Sequence, residues 1–216
     1  MIELKTKAFS DIAKEGMEEI GKGIGDKVPD FSKKIGKEIG NKVPNFTCEF
    51  RNQDGISKKT PNSNGYWTGE KGNSIWIPDD DYIPQEKYPN SEGAKSNPDN
   101  LTLKEIFKKY GIDGIEFKDG EPDFSPVSES TVEVDDFSEK RDENFAQADE
   151  KLAEQWNSEG KEGGPWTREK VEEYRKENNM TWHERSDCKT MDLVPTEIHA
   201  NVPHSGGISA TTNKGE

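Results

Sequence analysis

Apolar positions along this chain come in short bursts, and their spacing changes between two periods. Ile75-Trp76-Ile77 predicts a short strand stopped by Pro78, and Asp79-Asp80-Asp81 predicts a solvated turn. Leu101, Leu103, Ile106, Phe107 and Tyr110 then recur at helical spacing, with Asn100 or Thr102 as cap and Gly111 as stop. A strand over 112–117 follows, with a turn at Asp119-Gly120, an extended connection Pro122-Asp123-Phe124-Ser125-Pro126 and a short strand at Val132 and Val134. Residues 138–158 read as a helix with Phe145, Ala148, Leu152 and Trp156 on or near one face. Gly160 to Pro165 breaks it. A second helix opens at Thr167 as N-cap, with Trp166 as a hydrophobic staple against Val171, and stops at Asn178-Asn179. Last come a strand over 181–184, a turn through Arg185-Ser186-Asp187 and a strand over 189–194, with Met191 and Leu193 facing the core. A short helix from Pro195-Thr196 carries His199. The pattern predicts an α+β fold that ends in a β-hairpin followed by a helix.

The first part of the chain behaves differently. Residues 20–31 and 35–46 are two copies of one motif, Ile-Gly-Lys-x-Ile-Gly-x-Lys-Val-Pro-x-Phe, at a period of 15. Two copies cannot stack into a solenoid, and the interspersed glycines, three in the first copy and two in the second, weaken each short amphipathic helix by roughly 1 kcal/mol apiece. Residues 1–64 are therefore expected to be a connector or N-terminal arm, residues 65–164 an accessory α+β region, and residues 165–216 a compact C-terminal core.

Composition limits what this chain can be. Leu, Ile, Val and Phe make up 37 of 216 residues, enough for one modest core with extended segments. Nothing approaches the roughly 18 consecutive apolar residues of a membrane span, and the N-terminus lacks the apolar stretch of a secretory signal, so no membrane insertion is expected. The formal net charge is −14, which argues against holding nucleic acid by bulk charge. Residues 51–164 carry −12 of that charge, and residues 165–216 only −2. The acidity thus belongs to the middle of the chain, and nucleic-acid chemistry would have to rest on a local site.

That local site is suggested by the histidines. All three in the chain, His183, His199 and His204, fall within 22 residues, and clustered imidazole is a common trace of a metal site. Cys48 and Cys188 stand too far apart for a metal or redox motif; reduced thiols are expected, with a single long-range bridge as the alternative. The spacing His183, Cys188, His199, His204 also reads as a four-ligand structural zinc site. With Cys188 as fourth ligand, no coordination position would stay open, and the module would bind a protein or nucleic-acid partner without catalysis. Trp182 and Trp166 are expected to pack in the core, and Asp187 and Asp192 to face solvent.

Several stretches carry a family resemblance. Trp182-His183-Glu184, Met191-Asp192-Leu193-Val194-Pro195, Ile198-His199 and His204-Ser205-Gly206-Gly207 resemble the HNH/endonuclease VII superfamily nucleases of the Trp-His-His type. Those are toxin modules of bacterial polymorphic toxin systems. Tyr66-Trp67-Thr68-Gly69-Glu70, Ile112-Asp113-Gly114-Ile115 and Pro122 to Pro126 are similar to the region that accompanies this module, so the resemblance spans roughly residues 65–210. It implies a ββα-metal, treble-clef-like core that hydrolyses phosphodiester bonds of DNA with a divalent ion: Mg, Zn, Ni or Mn. His183, His199 and His204 would bind the metal. The residue after His183 would hold the general base; here it is Glu184, a departure from the two-histidine form, and the exchange of roles between His183 and Glu184 stays open. Arg185 and Lys189 would hold phosphate. The resemblance further implies a cognate immunity protein, delivery as part of a larger toxin and action in the cytoplasm of the target cell.

Overall fold

The computed structural model describes residues 58–212, so the 15-residue repeat and Cys48 lie outside the described residues. The fold is α+β, with two small sheets. The first sheet has four antiparallel strands in sequence order, β1 (Gly65–Trp67), β2 (Ile75–Pro78), β3 (Ile115–Lys118) and β4 (Glu121–Pro122). Helix α1 (Leu103–Lys109) lies between β2 and β3 in sequence. Its N-terminus is a capping box: the Thr102 hydroxyl accepts from Glu105 N at 3.2 Å, and the Glu105 carboxylate accepts from Thr102 N at 2.8 Å.

The second sheet has the order β5-β7-β6, where β5 is Ser130–Glu133, β6 is Met180–Glu184 and β7 is Thr190–Pro195. Sequence patterning predicts the β6–β7 hairpin and a short strand at Val132 and Val134, but not that the two pair. Strand β5 pairs with β7 across about sixty residues of chain, placing Val132 opposite Met191 and Ser130 opposite Leu193. Between them in sequence run α2 (Arg141–Glu159) and α3 (Arg168–Glu177). The hairpin turn is built by Asp187, whose Oδ1 accepts from Lys189 N at 3.0 Å and Thr190 N at 2.8 Å, while Cys188 takes the left-handed conformation with φ 54°. Helix α4 (Thr196–Asn201) follows β7 directly, completing a ββα unit, and a last helix, α5 (Gly207–Thr212), follows the loop that carries His204.

Strand β7 serves two cores because side chains alternate across it. Met191 and Leu193 join Trp182, Val132, Leu152, Trp156 and Val171 on the face covered by α2 and α3. Val194 points the other way, toward Ile198, Phe124, Ile106 and Phe107 under the first sheet. Burying each such large side chain is worth roughly 1.5–3 kcal/mol. Trp166 packs against the core that contains Val171 and contacts the rings of Trp156 and Tyr174 at centroid distances of 4.6 and 5.8 Å, forming an aromatic cluster.

One polar group sits inside the first of these cores. Asp149 of α2 is 2% exposed and accepts from Arg175 Nε at 2.6 Å, Arg175 Nη2 at 2.6 Å and Trp182 Nε1 at 2.8 Å. It ties α2, α3 and β6 together at the residue that precedes His183.

Candidate metal centre

Register decides which side chains of β6 meet. Trp182 stands opposite Leu193, His183 opposite Asp192, and Glu184 opposite Met191. His183 therefore projects from the face opposite Trp182 and Glu184. On that face α4 presents His199, and the loop after α4 brings back His204. The three ring centroids are 5.4, 5.0 and 4.7 Å apart, and one nitrogen from each ring lies within 4.8 Å of the others. His183 Nδ1 is 3.3 Å from His199 Nε2.

Two features hold this group in place. Phe124, 1% exposed, packs against all three imidazoles, with centroids at 4.8, 5.8 and 5.2 Å from His183, His199 and His204. The loop carrying His204 comes close to β6 through Gly206, where a Cβ would stand 2.8 Å from the Glu184 carbonyl oxygen. Only a residue without a side chain allows that approach.

The chemistry of the group suits a divalent cation. His204 Nδ1 lies 2.7 Å from the Val202 carbonyl, so Nδ1 carries the proton it donates and Nε2 keeps its lone pair. His183 Nε2 is buried without a partner among the described residues. All three rings are held below the ordinary histidine value, first by burial and then by neighbouring positive charge, including Arg141. They are thus neutral near pH 7, the state in which imidazole binds metal.

Glu184 stands outside this trio. Its carboxylate is 4% exposed and points toward the start of α2, accepting from Asn144 Nδ2 at 2.9 Å and Arg141 Nε at 3.2 Å. Burial raises its pKa, against the opposing pull of Asn144 and Arg141. Arg185 is engaged bidentately by Asp192, at 2.6 and 2.8 Å, and Lys189 pairs with Glu133 at 2.6 Å. Asp192 corrects an expectation: it is 1% exposed rather than solvent-facing, because β5 covers it and Thr131 Oγ1 donates to it at 2.7 Å. Cys188 is a second correction, since it is not among the metal-binding group formed by the three histidines. A four-ligand zinc site that includes Cys188 is therefore not assembled.

A groove of about 680 Å³ opens beside the hairpin turn, lined by Lys118, Asp119, Glu121, Asp123, Arg185 and Asp187. It mixes both signs of charge and contains none of the histidines. Sequence reasoning missed the roles of Phe124, Arg141 and Asn144. Phe124 had a signal, as the one aromatic residue within the Pro-Asp-Phe-Ser-Pro connection. Arg141 and Asn144 had none, because their neighbour Glu184 is some forty residues away.

No curated protein and no solved structure gives a significant match to the chain. Residues 114–206 match the Colicin-DNase family model, described as the DNase/tRNase domain of colicin-like bacteriocin, and this match supports a nuclease toxin domain over that part of the chain.

Proposed function

We propose that this chain is a metal-dependent endonuclease of HNH type that hydrolyses phosphodiester bonds of DNA as a bacterial toxin. The observation that carries the reading is the convergence of His183, His199 and His204, in neutral form, on a ββα unit. These three residues would hold a divalent ion, with Mg, Zn, Ni and Mn as the candidates. Such an ion supplies charge neutralisation at the scissile phosphate and at the leaving oxygen. Three protein ligands leave a position open, as a catalytic site requires and a structural one does not.

Glu184 is the residue we assign as general base. It adjoins His183 in sequence but is separate from the ligand group, and burial raises its carboxyl toward the range where a base works near neutral pH. Arg141 and Asn144 orient the carboxylate, leaving further acceptor lone pairs on both oxygens for the proton of an attacking water. A tRNA or other RNA substrate is the competing possibility contained in the family description. By the same family reading, the domain would be delivered within a larger toxin, act in the target-cell cytoplasm and be held inactive by an immunity protein. None of the helices among the described residues is long and apolar enough to cross a membrane.

The test is plasmid cleavage across divalent ions, with RNA in parallel, alongside calorimetric metal titration. His199→Ala is expected to lose both metal binding and cleavage. Glu184→Gln is expected to keep metal binding and lose cleavage by roughly 100-fold or more, the usual weight of a positioned base. Full cleavage by either variant, or cleavage unaffected by EDTA, would overturn the assignment.

A further inference from the structure

We propose that Lys59, Lys87 and Arg141 form a cationic rim around the three-histidine group that receives the phosphodiester backbone of a nucleic-acid strand. This rests on the nuclease reading above and names how substrate reaches that site. Each of the three residues touches the residue that immediately follows one of the histidines, Arg141 and Lys87 through the charged group and Lys59 through its backbone N–H. Arg141 Nε donates to Glu184 at 3.2 Å, next to His183. The Lys87 ammonium donates to the carbonyl of Ala200, next to His199. Lys59 N donates to Ser205 Oγ at 2.9 Å, next to His204. Three distant parts of the chain thus deliver one positive side chain apiece to the same small area.

All three side chains are exposed, Arg141 at 63%. Among the described residues, neither Lys59 nor Lys87 pairs with a carboxylate, and Arg141 engages only its Nε, leaving both terminal amino groups as donors. This contrasts with Arg185 and Lys189, which are committed to Asp192 and Glu133. The rim is also electrostatically strained in one direction. Lys87 is depressed below the ordinary lysine value by burial and then by Lys59, and the charges of Lys59, Lys87 and Arg141 all reach His204. The two ammonium groups have no carboxylate partner among the described residues, and Glu184 meets only the Nε of Arg141, so a phosphate backbone would supply counter-charge beside the neutral imidazoles. A chain with net charge −14 can therefore approach a polyanion at this one place.

Counterion release makes the idea quantitative. Three phosphate contacts on duplex DNA give a slope of log K against log salt near −2.7, or roughly 40-fold weaker binding between about 50 and about 200 mM salt. Losing one contact brings the slope to about −1.8 and the loss to roughly 12-fold. The experiment is fluorescence anisotropy of the full chain in EDTA, which prevents cleavage, with a labelled DNA duplex in one arm and an RNA hairpin in the other. Lys59→Gln, Lys87→Gln and Arg141→Gln are compared with Lys151→Gln, a lysine paired with Asp135 away from the histidines. Zinc titration is run on every variant. The proposal expects each rim variant to lower the slope by about 0.9 on duplex DNA, with Lys59→Gln and Lys87→Gln keeping wild-type zinc affinity and Lys151→Gln keeping the wild-type slope. Rim variants with an unchanged slope, or Lys151→Gln with an equal loss, would overturn it. The same slope changes on the RNA arm alone would retain the rim and reassign the strand to RNA. A chain that binds nucleic acid through the rim but takes no zinc would refute the metal reading and leave the rim standing.

Discussion

Asp149→Ala removes the acceptor of three hydrogen bonds inside the α2, α3 and β6 core. Asp149 is 2% exposed and Arg175 8%, so the substitution leaves a guanidinium buried without its partner. Breaking a buried ion pair from one side costs about 3–5 kcal/mol. For a unit of this size, each kcal/mol lowers Tm by about 2–4 °C, so the midpoint is expected to fall by roughly 6–20 °C. The cost arises from the stranded charge, which gives the prediction a second arm. Asp149→Leu combined with Arg175→Met removes both charges and is expected to recover most of the loss, as replacement of buried pairs by apolar residues often does. Trp182→Phe, which loses the 2.8 Å bond from Nε1 and part of a fully buried ring, is expected to cost at least about 1.5–3 kcal/mol. Because Trp182 precedes His183, the single variants are also expected to weaken zinc binding, read by calorimetry below their melting range. Denaturant unfolding of the four proteins measures the energies. An Asp149→Ala loss below about 1 kcal/mol, or a double variant no more stable than the single, would refute the reasoning.

Two further outcomes follow from the site. In the metal-free chain the three histidines sit below their ordinary value of 6.5, so the unfolded chain binds more protons as the medium becomes acidic. Their contribution to stability is full above about pH 6.5 and is lost as pH falls toward the folded values, while Glu184, raised by burial, acts in the opposite sense as pH rises above 4.5. Denaturant melts of Glu184→Gln in EDTA should therefore show lower stability at about pH 5 than at about pH 7.5, and equal stability would contradict the neutral trio. Gly206→Ala places a Cβ 2.8 Å from the Glu184 carbonyl oxygen and should cost about 1–3 kcal/mol while weakening zinc binding through His204; unchanged melting and affinity would show that the loop does not need this approach.

Much of the local structure can be read from spacing, since helix and strand periods are properties of a few neighbouring residues. The Leu103–Lys109 helix, the Thr167 cap and the β6–β7 hairpin lie where the pattern places them, within a few residues. The histidines are legible for the same reason: proximity along the chain raises the odds of proximity in space. The α5 helix has no periodic apolar signal, and the glycine that opens it serves close packing, since a Cβ at Gly207 would stand 2.8 Å from the Arg185 carbonyl oxygen.

By itself, then, the sequence determined that this is an α+β chain with clustered histidines, a ββα order and an acidic middle. Tertiary structure decided which groups face one another. Strand register put His183 with His199 and His204 and turned Glu184 toward Arg141 and Asn144. Pairing of β5 with β7 buried Asp192, which gave Arg185 a carboxylate partner. Chain return brought Phe124, Lys59 and Lys87 to the imidazoles from distant parts of the sequence. Such contacts depend on packing two cores against one strand, and no periodicity along the chain encodes that distance.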